Sequence, residues 1–144
     1  MALVFLGHLF HIGGMFTKTT NQIKVTVYPV YLEDQSLPED NHFVWAYTVQ
    51  LENHGEQTVQ LMRRYWHITD ANGQVQEVTG EGVVGEKPVL EPGEAFRYTS
   101  GTALATPSGV MVGNYEMVIP GSNGFTIDIP AFSLDSPYQL RRLN

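Results

Sequence analysis

The chain has 144 residues, 42% of them hydrophobic and 16% charged, a balance that excludes a disordered or membrane-embedded chain and fits one domain with one core. Fifteen acidic against eight basic residues leave a formal net charge of −7, which opposes non-specific contact with nucleic acid or an anionic membrane. There is no cysteine, so disulfides, thiolate metal ligands and cysteine nucleophiles are excluded, and the composition suits the cytoplasm.

Met1 to Gly14 is apolar but too short to span a bilayer, and no Lys or Arg precedes it as in a signal peptide. Residues 1–22 read as an upstream leader outside the fold, 23–134 as one domain and 135–144 as a tail. The first strand is expected from Ile23, where Ile23, Val25 and Val27 alternate with Lys24, Thr26 and Tyr28. Glu33 to Asn41, with Pro38 and four carboxylates, reads as an exposed loop. Phe43, Trp45, Tyr47, Val49 and Leu51 alternate with polar or small residues and mark the clearest strand.

A turn at Asn53-His54-Gly55-Glu56 leads to a third strand, Val59 to Thr69, and Asn72-Gly73 closes a hairpin onto a fourth, Gln74 to Thr79. Regular alternation along the third strand groups Met62, Arg64, Trp66 and Ile68 on one face and Leu61, Arg63, Tyr65 and His67 on the other. Gly80 to Pro88 is a glycine-rich connection, and Pro92-Gly93 marks a turn into a fifth strand, Ala95 to Ser100. Gly101 to Gly109 reads as a loop. A sixth strand, Val110 to Ile119, carries a bulge signal at Gly113, and Phe125 to Ile129 is the seventh, its pattern continued by Phe132 and Leu134. About seven strands without an amphipathic helix predict an all-β, two-sheet antiparallel sandwich.

Gly80-Glu81-Gly82-Val83-Val84-Gly85 has the G-x-G-x-x-G spacing of phosphate-cradling loops. The helix that such a loop must open is missing, because Pro88 follows and the neighbours are strands. Glu77, Glu81 and Glu86 surround the glycines with Lys87 as the nearby offset, so the field disfavours an anion. A loop whose glycines serve positive φ and close packing is therefore the expected reading. For Arg64, a stem packed on Trp66 is favoured over an anion clamp. The five histidines form no metal-ligand spacing, and no nucleophile elbow or forced carboxylate pair is present. The residues predict no catalysis, no cofactor and no bound metal.

The chain also resembles the bacterial ApaG family. The likeness is carried by Tyr47-Thr48-Val49, Asn53, Arg64-Tyr65-Trp66-His67-Ile68-Thr69-Asp70, the run Val78 to Pro88, Pro92-Gly93-Glu94, Tyr98-Thr99-Ser100-Gly101, Gly113-Asn114-Tyr115-Glu116-Met117 and Phe125 to Phe132. The resemblance implies a fibronectin type III-like or immunoglobulin-like sandwich that works as a protein-interaction module. It also implies a link to cobalt and magnesium tolerance, for which carboxylates of Glu33 to Asp40 with His42 are the candidate oxygen-rich ligands. The family's glycine motif, discussed as a pyrophosphate site, maps onto Gly80, Gly82 and Gly85. With Lys87 and Arg64 these are the residues expected to meet a nucleotide or other phosphate-containing small molecule, the alternative to a protein partner.

Overall fold

The computed structural model describes Val4–Phe5, His8–Leu9 and residues 14–138. Its strands are β1 (Val4–Phe5), β2 (His8–Leu9), β3 (Phe16–Thr20), β4 (Ile23–Tyr31), β5 (Phe43–Asn53), β6 (Val59–Asp70), β7 (Val75–Glu81), β8 (Val89–Leu90), β9 (Ala95–Leu104), β10 (Ser108–Val118) and β11 (Gly124–Asp135). β1 and β2 form a separate antiparallel pair. The rest make an antiparallel sandwich: one sheet ordered β3-β4-β5-β9, the other β11-β10-β6-β7 with β8 also on β6. Among the described residues no helix is long and apolar enough to cross a membrane.

Alternating apolar residues put one face of each sheet into a shared core. Val25, Val27, Val49, Leu51 and Trp45 from the first sheet meet Leu61, Trp66, Met111, Tyr115 and Ile127 from the second. Tyr47 stands edge-on to Trp66, ring centres 5.3 Å apart, and Trp66 stands edge-on to Phe132 at 5.9 Å. Tyr98 of β9 and Tyr115 of β10, one from each sheet, share a buried hydroxyl–hydroxyl hydrogen bond across the sandwich.

The fold is wider than the expected 23–134. Phe16–Thr20 pairs with Ile23–Val27 through a two-residue turn, Asn21-Gln22, both at positive φ (48° and 67°), which suits a tight hairpin. Phe16 brings this strand into the core by packing on Phe132 at 6.1 Å. The expectation for residues 1–14 falls largely outside the described residues. At the other end Trp45 donates its indole N–H to Asp135 O at 2.8 Å, Ser136 is buried with its hydroxyl on Pro107 O, and Tyr138 packs against Tyr31 and Phe43. The expected loop at 101–109 is also shorter: β9 runs on to Leu104 and β10 starts at Ser108, because Thr102 and Leu104 keep the alternation going.

Pro29 sits inside β4 without breaking it. Leu32 N–H donates to Val44 O at 2.8 Å, so the even positions of β4 bond to β5 and odd Pro29 faces the other side. β3 reaches no further than Val27 there, so no ladder donor is lost.

Candidate functional site

The residues singled out in the sequence gather where β6 slips against β10. Glu116 pairs with Arg63 but Met117 with Leu61, leaving Met62 as an extra residue in β6. This bulge reverses the alternation, so Leu61 and Trp66 both enter the core although regular alternation assigned them to opposite faces. Arg63, Tyr65 and His67 stay on the outer face and Arg64 shares the inner face with Trp66, as expected. Continuing the β6–β7 ladder by one pair, the Met62 carbonyl accepts the Gly82 N–H at 2.8 Å and docks the glycine-rich segment onto β6.

That segment is a small hairpin. Val83 and Glu86 exchange both backbone hydrogen bonds (2.8 and 2.9 Å) around Val84 and Gly85, which turn at φ of 43° and 80°. Val83 is buried beneath it. Gly82, at φ of 63°, lies against the return strand so closely that a Cβ would stand 2.2 Å from Glu86 O. Gly80 faces Arg64 in the ladder, and a Cβ there would stand 2.7 Å from the guanidinium, so its missing side chain is the space in which Arg64 lies. Gly85 at the tip meets nothing and serves the turn.

Arg64, Gly80, Gly82 and Lys87 therefore come together, with Gly85 apart at the tip. Arg64 Nη1 donates to Gly82 O at 2.8 Å and Glu81 O at 3.3 Å. Arg63 Nε and Lys87 Nζ both reach the Glu81 carboxylate, at 2.6 and 2.8 Å, and these hydrogen bonds hold its pKa below the usual carboxylate range. The three cations beside the hairpin are thus engaged by Glu81 or by carbonyl oxygens, and the N–H groups of Gly82, Val83 and Glu86 are engaged by Met62, Glu86 and Val83. An anion would enter by displacing Glu81. At the metal candidates, Tyr138 OH donates to Glu33 at 2.7 Å. Among the described residues no three carboxylates or histidines are grouped to hold an ion.

The profile of the ApaG domain matches residues 33–119. The chain belongs to the ApaG family. It is 64% identical to Protein ApaG of Paramagnetospirillum magneticum and 60% identical to that of Rhodospirillum centenum, in each case over 130 residues covering 90% of this chain and all of the relative. Its fold matches the crystal structure of a Bordetella pertussis protein assigned as ApaA, with a TM-score of 0.78 at 45% identity over 81% of this chain and 94% of that one. The ApaG profile ends before β11 and begins after β4, yet those strands pack on each other, so the folded unit in this family member exceeds the matched segment.

Sequence reasoning missed the outer face of the five-stranded sheet. Register places Val75, Thr69 and Val110 side by side on β7, β6 and β10, with His67 and Val112 in the next row. The three valines are 52, 45 and 43% exposed, and Glu77, Glu116 and Asp128 border them. Valine at alternate outward positions of β10 was the available signal. A second missed feature is a cleft of about 880 Å³ at one end of the sandwich, lined by Gln22, Asn53, Gln57, Asn123 and Phe125.

Proposed function

We propose that this ApaG-family chain is a non-catalytic binding module of the cytoplasm that meets a protein partner through the outer face of its five-stranded sheet. The observation that carries the reading is the exposed trio Val75, Val110 and Val112 with Thr69 and His67 beside them on β6, an apolar surface with a mostly acidic rim. Such patches mark contact sites, and the rim fits a partner whose own rim is basic. Cobalt and magnesium tolerance is on this reading exerted through the partner.

The test pairs a hydrolysis screen with surface variants. Nucleotides incubated with the protein, with and without divalent metals, stay intact. A partner identified by cross-linking loses affinity at least tenfold with Val110→Lys/Val112→Lys and keeps it with Arg97→Glu on the opposite sheet. Robust turnover abolished by Gly82→Val, or equal binding by both variants, overturns the reading. Thermal melting in cobalt or magnesium stays flat beside a metal-binding control. The second reading, nucleotide or pyrophosphate binding, rests on Arg63, Arg64 and Lys87 lying beside one glycine hairpin. Calorimetric titration with diadenosine polyphosphates, ATP and pyrophosphate decides between the two: no heat at millimolar ligand removes it.

A further inference from the structure

An edge strand offers unpaired N–H and C=O groups to any passing strand, and folded proteins guard such edges with short length, charge, proline or bulges. Three of the sandwich's four edges are guarded. β3 is five residues long and leans on β11 through the Lys18–Asp128 ion pair at 3.1 Å. β11 has two residues, Pro130 and Ala131, opposite the single Val112, which breaks its ladder. β7 carries Glu77 and Glu81.

β9 has none of these defences. It runs ten residues in unbroken register on β5, without proline, and among the described residues no strand pairs with its other side. Its one charge, Arg97, is turned back onto its own sheet, with Nε on Gln50 at 3.1 Å and the guanidinium 5.9 Å above the Tyr28 ring. The Leu32–Val44 bond commits even positions of β5 to β4 and odd ones to β9. Asn53 N–H donating to Glu94 O at 3.0 Å agrees. The N–H and C=O of Ala95, Arg97, Thr99, Gly101 and Ala103 therefore point to the open edge, and all five residues are exposed.

We propose that β9 is the seam of a homodimer in which two copies pair antiparallel about Thr99, joining their four-stranded sheets into one. The sequence of β9 is self-complementary in this register. On the outer face Arg97 lies opposite the second copy's Gly101, and Ala95 opposite its Ala103. On the inner face Tyr98 meets Ser100 and Phe96 meets Thr102, so each large side chain faces a smaller one. Sliding the copies one step toward the start of the strand stacks Tyr98 on Tyr98, and a further step sets Arg97 against Arg97. Thr99 at the centre continues the hydroxyl ladder that Thr48 begins, 2.8 Å away. The dimer is independent of the partner face above, which lies on the other sheet and stays free.

Sedimentation equilibrium of the full chain from about 10 μM to about 1 mM, the range for an interface at the small end of the size scale, shows a concentration-dependent dimer. Gly101→Lys sets a cation opposite Arg97 twice over and weakens the dimer about tenfold, whereas Gly101→Glu at the same place tightens it. A Cβ at this position has Trp45 O as its nearest neighbour at 3.4 Å, so both variants fold. The chain has no native cysteine, so Thr99→Cys gives a lone thiol at about 5.5 Å Cα spacing from its copy, within disulfide reach. On mild oxidation it cross-links, while Thr17→Cys on β3 does not. A monomer at every concentration, equal behaviour of the Lys and Glu variants, or no preference for the Thr99 cross-link overturns the proposal.

Discussion

The four-stranded sheet holds one register from β3 through β4 and β5 to β9, whereas the five-stranded sheet slips twice, at Met62 in β6 and at Pro130-Ala131 in β11. The outer surfaces differ in step with that. On the regular sheet Thr48 bonds Thr99 and Arg97 bonds Gln50 across strands, and Gln50 bonds Glu52 along β5, so polar side chains satisfy one another. On the slipped sheet valines stand in water and the glycine hairpin extends the β6–β7 ladder. A bulge re-aims side chains that strict alternation would fix, so the irregular sheet is the one that turns both Leu61 and Trp66 into the core although an odd number of steps separates them. Regularity gives a closed surface, and irregularity gives an addressable one.

The two sheets differ most in what they tolerate at glycine. A Cβ on Gly113 would lie 2.4 Å from Tyr65 O and 2.8 Å from the Trp66 ring, so Gly113→Ala costs about 3 kcal/mol, while Gly101→Ala on the regular sheet stays within about 0.5 kcal/mol. Urea denaturation reads both, and equal losses would refute the contrast. Gly82→Val comes next, at about 2–3 kcal/mol, because a β-branched side chain at φ of 63° must also clear Glu86 O. The midpoint falls without ligand present. An unchanged midpoint and slope would return this glycine to a ligand role.

Thr48→Val on the regular sheet removes one half-buried hydroxyl pair and costs about 1 kcal/mol by the same measurement. The smallest effect belongs to Val112→Lys, which leaves stability within about 0.5 kcal/mol, since the side chain is 43% exposed. A loss above about 2 kcal/mol there would show Val112 to be core rather than contact surface.

β4 and β5, the centre of the regular sheet, were the legible strands. Ile23-Val25-Val27 and Phe43 to Leu51 alternate strictly because their strands do, and their inward faces followed from the sequence. β6 misled at Leu61 because one inserted residue reverses every side chain beyond it, and nothing in Leu61-Met62-Arg63 marks which residue is extra. Gly113 read as a bulge, and the β10–β11 slip does lie beside it. The extra residue is in β11, where Pro130 has no N–H for the ladder, and Gly113 itself serves close contact with Tyr65 and Trp66. β3 went unread because Thr17-Lys18-Thr19-Thr20 is polar, leaving Phe16 as its single core contact. The glycine pattern was legible as backbone geometry, but its grip on Met62 O and Arg64 depends on pairings far apart in the chain.

The hydroxyl pair of Tyr98 and Tyr115 makes the sandwich sensitive to alkali. Burial raises the pKa of both phenols above the ordinary tyrosine value, most strongly at Tyr115, which has no solvent exposure. A phenol whose folded pKa is raised binds its proton more tightly folded than unfolded. Its contribution is therefore complete below about pH 10, the unfolded tyrosine value, and is lost as pH rises through the folded pKa. Ionising either hydroxyl would strand an anion between the sheets. Ionisation of these two tyrosines is thus coupled to opening of the molecule. In an alkaline titration the last tyrosinate absorbance rises together with the loss of β-sheet circular dichroism, as one cooperative event.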